Sequence, residues 1–384
     1  MSGQNNYSVF LQTTELFTNA SGAPQGDSSV SLTVTIILVL MYILTILVAV
    51  SGNLAVCYII LSDHRMRTVT NLFLLTLALS DIIKAVICNP FSVFANLKLY
   101  WPFGSVMCPV WQYLQVVAVY VSSLTLVAMS LDRFVAILFP LKPRMSKSRL
   151  LVIIVLILFL SCALPLPTAI KSKVTFPKPQ FPNDPSSNGL CLEKWDNDFH
   201  KYVYSMGIMV TQYFLPLSVL AFTNGCIGYV VWIKKPPGEA DSGRDNRLAA
   251  SKRRMVKMII VVVVIYAVCW LPLHVLTLVG DRDQSIYNNS YMNVVFLAIQ
   301  WLATSHSCYN PFVYFWMNPK FRNGFKRMLR FIQLRKMKEK DVNVPFHADH
   351  LDREASSHFD SCGSRYYHST RTGSSNHVQG VDCM

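Results

Sequence analysis

The stretch VTIILVLMYILTILVAV, Val34–Val50, decides the fold. It carries no charged residue, and its apolar side chains point in every direction around a helix, so it has no polar face to offer water. Leu150–Leu160, LLVIIVLILFL, repeats the pattern. A soluble protein would need a large core around each such helix; a bilayer accepts it directly, because a spanning helix needs roughly 20 mainly apolar residues. Outward from these two, seven such stretches can be placed: Leu32 to Leu61, Asn71 to Asn96, Cys108 to Leu138, Leu150 to Ile170, Tyr202 to Ile233, Met255 to Val279 and Met292 to Trp316. The whole chain agrees, with 52% hydrophobic residues against 15% charged over 384 residues and a mean hydropathy of +0.35, too apolar for a soluble domain of that size.

Orientation follows from Lys and Arg between the spans, because cytoplasmic segments carry the excess. One side holds 7: Lys98, Lys171, Lys173, Lys178, Lys194, Lys201 and Arg282. The other holds 26, including clusters at Lys142 to Arg149, Lys252 to Lys257 and Lys320 to Lys340. The amino terminus is expected outside and, with seven spans, the carboxy terminus inside. The net charge of +14 is then a topology and membrane-surface signal, not one for nucleic acid. Residues 1–33 have no Lys or Arg and no compact apolar block, so they do not read as a cleavable signal peptide. The sequons at Asn6, Asn19 and Asn288 all fall on the side assigned as external, where glycosylation occurs. Of ten cysteines, six lie in spans; Cys108 and Cys191 are outside together, where an oxidising exterior favours their pairing.

Short motifs then mark the spans in order. They are Gly52-Asn53 in span one, Leu77-Ala78-Leu79-Ser80-Asp81 in span two, Trp101-Pro102-Phe103-Gly104 before Cys108, and Asp132-Arg133-Phe134 closing span three. Pro216 follows in span five, Cys269-Trp270-Leu271-Pro272 in span six and Asn310-Pro311-Phe312-Val313-Tyr314 in span seven. From roughly Ser51 to Arg330 the chain resembles the rhodopsin-like G-protein-coupled receptors, specifically their neuropeptide branch, in which neuropeptide Y, tachykinin, kinin and RYamide receptors are the nearest in pattern. The resemblance implies an all-α membrane protein: a seven-helix bundle over 32–316, an extracellular tail over 1–31, an amphipathic eighth helix and basic segment over 317–340, and a disordered cytoplasmic tail over 341–384. It implies a multi-pass plasma-membrane receptor without cofactor or catalysis. Its expected partners are an extracellular peptide, a heterotrimeric G protein, the lipid bilayer, and arrestin and receptor kinases acting on Ser and Thr between Ser356 and Ser375.

Roles carry over residue by residue. The resemblance places the ligand at Gln115, Asp281, Trp101, His274, Thr277 and Gln300, with Asp281 meeting a peptide Arg and Gln115 deeper, toward an amide end. Asp81, Arg133, Trp270, Asn310 and Tyr314 would form the activation switch, and Arg133 and Leu141 would contact the G protein. A charge inside a span is costly and functional by default, which singles out Asp81 and Arg133 independently, although Arg133 could instead snorkel to headgroups. The blander readings are a plain core aromatic for Trp270, an interhelical hydrogen bond for Gln115 and a surface pair with Arg282 for Asp281.

Departures matter as much. Phe134 replaces the usual Tyr, span four lacks the usual Trp, Asn224 stands where a Tyr is usual, and Lys252 stands where some relatives carry an acid that locks Arg133. Gln115 and Thr304 occupy the positions of an amine receptor's acid and an opsin's Lys. Lys84 is not part of the family pattern. It follows Asp81 by one helical turn, and Asp81 is a candidate sodium ligand, helped in relatives by residues corresponding to Ser122 and Asn310. Either the Lys84 ammonium pairs with Asp81 in place of that ion, or it turns toward the outer cavity. Outside the family the alternatives are a receptor for another ligand class, or a seven-helix channel or transporter, for which no internal repeat is found.

Overall fold

In a bilayer the backbone must satisfy its own hydrogen bonds, and the chain does so with helices. The computed structural model describes residues 32–98, 100–176, 189–232, 242–282, 286 and 291–342. The chain divides into two units, Met1–Ile332 and Gln333–Met384, and the bundle belongs to the first. Span one is α1 (Leu32–Ser62). Span two is α2 (Val69–Ile83), a π-helical turn at Lys84–Cys88 and α3 (Asn89–Lys98). Span three is α4 (Gly104–Leu138), and span four is α5 (Lys147–Ala163) followed by α6 (Leu166–Lys171). Span five is α7 (Asp198–Met209), a second π-helical turn at Val210–Phe214 and α8 (Leu215–Trp232). Span six is α9 (Ser242–Arg282), span seven is α10 (Met292–Met317), and α11 (Pro319–Val342) follows.

Six of these spans are long and apolar enough to cross a membrane. The seventh has the length, 26 residues, but carries Gln300, Thr304, Ser305, His306, Ser307 and Asn310, all buried in the bundle. Its outward residues are apolar, Val295, Phe312, Phe315 and Trp316 among them. Large apolar side chains likewise cover the outside of α1 and α5, with Leu44 63% exposed and Phe159 66%. In water that surface would be an aggregation face; against lipid it is the matched solvent. Span six starts well before Met255, because the helix continues into the basic segment.

Polar side chains start the helices. Thr68, Ser146 and Asn197 accept from the backbone N–H of Asn71, Arg149 and Phe199 respectively, filling donors that have no partner in the first turn. Both π-helical turns end two residues before a proline, Pro90 and Pro216. Proline has no N–H and crowds the carbonyl four residues back, so the preceding turn widens. The carbonyls that prolines cannot serve find other donors. Tyr266 Oη donates to Gln212 O at 3.0 Å, four residues before Pro216. Asn53 Nδ2 donates to Ser307 O at 3.0 Å, four residues before Pro311, which gives the Asn of the span-one motif a physical role.

The loop between spans four and five contributes a two-stranded antiparallel sheet, β1 (Ser172–Thr175) with β2 (Leu190–Glu193), in which Val174 faces Cys191. The Cys108–Cys191 disulfide, with α carbons 5.5 Å apart, fastens this sheet to the top of span three. At the opposite end, α11 begins with Phe321 fully buried and Lys320, Arg322, Lys326 and Arg327 exposed, the one-sided arrangement expected of a helix lying on a membrane surface. Arg327 reaches Asp63 at 3.1 Å, and the Asp63 carboxyl lies below its usual range, chiefly through the Arg65 backbone N–H and then the Arg327 side chain.

Candidate functional site

The half of the bundle that carries the disulfide holds a cavity of about 200 Å³ between spans three, four, five and six and β2. Trp270 lines it, with His274 and Thr277 on the following turns of α9. Gln212 and Met209 come from around the second π-helical turn, and Glu193 comes from β2. The lining mixes apolar side chains with a few polar ones, the composition of a small-ligand or side-chain pocket. Most of the polar groups are engaged: Thr277 Oγ1 donates to Leu273 O at 2.9 Å and Gln212 Nε2 to Val116 O at 3.1 Å. Trp195 Nε1 donates to Glu193 Oε2 at 3.0 Å. His274 Nε2 is buried without a hydrogen-bond partner among the described residues. Beside β2, Asp196 pairs with Lys171 at 2.6 Å, and that hydrogen bond is the main cause of its lowered pKa.

Other sequence-predicted ligand residues sit apart from this lining. Gln115 is half-buried and accepts from Ser92 Oγ at 3.3 Å. Gln300 is buried and accepts from Asn96 Nδ2 at 2.9 Å. Trp101 is 5% exposed and stacks on Trp111, ring centroids 5.0 Å apart, in the apolar cluster around Cys108. Its indole N–H is satisfied by Gly104 O at 2.8 Å, so its present contacts are those of a packing residue beneath the disulfide. Asp281 is in the last turn of α9, and its side chain lies outside the described residues, as do those of Lys252, Asn6, Asn19 and Asn288.

Below the cavity is a polar cluster at the centre of the bundle. Lys84 is 3% exposed, and its Nζ lies 2.8 Å from Asp81 Oδ1, 3.1 Å from Ser122 Oγ and 2.9 Å from His306 Nε2. An ammonium has three hydrogens, and here each meets a partner. Asp81, 0% exposed, also accepts from Ser307 Oγ at 3.0 Å and Asn310 Nδ2 at 2.8 Å. His306 Nδ1 in turn lies 2.6 Å from Ala303 O and 3.2 Å from Trp270 Nε1. The wide turn at Lys84–Cys88 begins at this lysine, so the disturbance introduced near Pro90 coincides with a charge that the bundle has to accommodate.

Toward the end of the bundle opposite the disulfide, two guanidinium nitrogens of Arg133 reach Asp132 Oδ2, Nε at 3.0 Å. Leu141 is 99% exposed in the loop between spans three and four. The Tyr314 ring packs on Phe321, centroids 5.7 Å apart, and its buried hydroxyl has no partner among the described residues.

Two residues were not singled out by sequence reasoning. His306 stands in the polar run Thr304–Ser307, and polar residues inside a span are expensive enough to flag it. Glu193 follows Cys191 by two positions, and the disulfide that straps the loop to span three brings the acid over the bundle.

Comparison with known proteins covers most of this framework. The family model described as 7 transmembrane receptor (rhodopsin family) matches residues 52–314. The chain is 42% identical over 295 residues to the RYamide receptor of Drosophila melanogaster, covering 77% of this chain and 63% of that receptor. It is 39% identical over 304 residues to the RYamide receptor of Tribolium castaneum, covering 76% of this chain and 80% of that receptor. To the tachykinin-like peptides receptor 99D of Drosophila melanogaster it is 36% identical over 297 residues, covering 74% of this chain and 55% of that receptor. The chain thus spans less than two thirds of the length of the first and third of these relatives.

Proposed function

Since the chain belongs to the rhodopsin family of seven-transmembrane receptors, we propose that it binds an extracellular amidated neuropeptide ending in Arg and an aromatic residue, and signals through a heterotrimeric G protein. The observation that carries this reading is the outer cavity, with Trp270 and the unpartnered His274 Nε2 in its wall and Glu193 as the charged side chain of its lining. A lining with one acid and an open imidazole nitrogen suits a peptide side chain that is basic or rich in hydrogen-bond donors. The names of two relatives, RYamide receptors, agree with that chemistry.

In this reading Asp281, at the outer end of α9, meets the peptide's Arg, Gln115 lies deeper, toward the amide end, and Gln300 is a further ligand contact. The ligand favours a state in which α9 bends at Pro272 and opens the cytoplasmic side. Arg133 and Leu141 then engage the G protein, with Asn310 and Tyr314 rearranging between them. The amino terminus is extracellular, which the charge asymmetry and the disulfide on the sequon-bearing side support. The serine-rich tail beyond 342, outside the described residues, is the segment for receptor kinases and arrestin.

Guanine-nucleotide exchange on a G protein, measured in membranes expressing the receptor while a library of amidated peptides is screened, tests the reading. Exchange that depends on a peptide ending in Arg-Tyr-amide is the expected result. Activation by an unrelated ligand class alone would overturn the peptide assignment, and ligand-gated ion flux without added G protein would favour a channel.

A further inference from the structure

The central cluster poses a problem of hydrogen-bond arithmetic at His306. A neutral imidazole has one acceptor nitrogen and one donor, and two donors approach this ring from different spans. Lys84 Nζ, from span two, lies 2.9 Å from Nε2, and Trp270 Nε1, from span six, lies 3.2 Å from Nδ1. Neither donor can accept, since an ammonium and an indole N–H have no lone pair to offer. The third contact settles the tautomer. Nδ1 is 2.6 Å from Ala303 O, an acceptor, so Nδ1 carries the hydrogen and Nε2 accepts from Lys84. In that state the Trp270 N–H faces another N–H. The opposite tautomer would serve Trp270 but set Nε2–H against the ammonium and Nδ1 against the Ala303 carbonyl. A doubly protonated ring would add a second positive charge beside Lys84 in a site where Asp81 is the single carboxylate within reach among the described residues.

Asp81 poses the complementary question of what could join it. Its Oδ1 is held by Lys84 and Ser307 and its Oδ2 by Asn310. Ser122, a further oxygen donor, is also in contact with Lys84. A dissolved monovalent cation entering here would lose those oxygens to the ammonium and be repelled by it at contact distance, in a medium where charges interact far more strongly than in water. The residues present do not fit a sodium ion.

We propose that Lys84 is the chain's own cation at Asp81 and that, by claiming the one acceptor nitrogen of His306, it leaves the Trp270 indole at the cavity wall without an acceptor and ready to shift when ligand enters. His306 is thereby a positioning residue that couples the cavity to the ion pair. Ligand that draws Trp270 away relieves a donor-against-donor contact. The inference assumes the family's general arrangement but no particular peptide, and both of its tests are made without ligand.

The first test is thermal unfolding of purified full-length receptor in sodium or potassium chloride at equal ionic strength. A bound ion would stabilise the folded state. The native receptor is expected to unfold at the same midpoint in both salts, and Lys84→Met to gain a sodium-specific rise of about 3 °C or more. A sodium-specific rise of that size in the native receptor would overturn the proposal. The native measurement decides this even where Lys84→Met does not fold.

The second test reads the ring directly by nitrogen-15 NMR of histidine-labelled receptor, with His306 identified by its loss in His306→Asn. The expected spectrum is that of a neutral ring protonated at Nδ1 and held there by the Ala303 carbonyl, with the Nε2 signal shifting in Lys84→Met as that nitrogen loses its ammonium donor. A native ring protonated at Nε2, or at both nitrogens, would refute the link to Trp270. Failure of every amidated peptide to activate the receptor would remove the ligand assignment and leave both of these readings in place.

Discussion

A methyl group on the α carbon of Gly52 would lie 2.9 Å from Pro311 Cγ and 3.0 Å from its Cβ. Span one therefore touches span seven at the point where Pro311 interrupts the helix and Asn53 takes up the Ser307 carbonyl. Gly52→Ala forces the two helices apart, and overpacking of this kind costs roughly 1–3 kcal/mol. The matched control is Gly207→Ala in α7, where nothing lies within 4 Å of an added methyl and a helix interior favours Ala over Gly by roughly 0.5–1 kcal/mol. Thermal unfolding in detergent should show a lower midpoint for Gly52→Ala and an unchanged or higher one for Gly207→Ala. Equal midpoints in the two variants would mean that the span one to span seven contact is soft.

The disulfide holds β2 over the cavity, and its two cysteines act as one unit. Cys108→Ser and Cys191→Ser should each reduce peptide binding by a similar factor, with the double variant no worse than either single. Non-additivity of this form is what residues sharing one bond produce. Losses that multiply in the double variant would show that each sulfur has a separate role.

Asp281 can be tested against the ligand's own chemistry. A partly desolvated Arg–carboxylate pair is worth considerably more than a surface pair, about 2 kcal/mol or above. Asp281→Ala should weaken an Arg-containing amidated peptide by about tenfold or more, and barely change an analogue in which that Arg is replaced by a neutral residue. Equal losses for both peptides would remove Asp281 from the contact. The same pair of peptides applied to Glu193→Gln shows which of the two acids receives the charge.

Arg133 separates binding from signalling. It lies near the C-terminal end of α4, paired with Asp132, whereas Trp270 and His274 are on α9 and line the cavity. Arg133→Ala should keep measurable peptide binding while agonist-driven nucleotide exchange drops by about tenfold or more, and Leu141→Ala should give a smaller loss of the same kind. A parallel loss of peptide affinity with unchanged maximal exchange would place Arg133 outside the G-protein contact.

The amino-acid sequence determined the spans, because hydropathy and the length of an apolar run are local properties that a bilayer reads directly. The motif residues could be assigned to their spans for the same reason, and Cys108 with Cys191 because compartment and position leave them together. Nothing local shows which partners a side chain will meet across spans. Trp101 packs on Trp111 in the cluster around Cys108. Gln115 and Gln300 are occupied by Ser92 and Asn96. Lys84 had two open directions in the sequence, and tertiary packing gave it Asp81 three residues away together with His306, 222 positions along the chain. A buried charge takes whatever lone pairs the neighbouring helices bring within about 3 Å, and that distance is set by how seven helices pack, which no stretch of the sequence contains by itself.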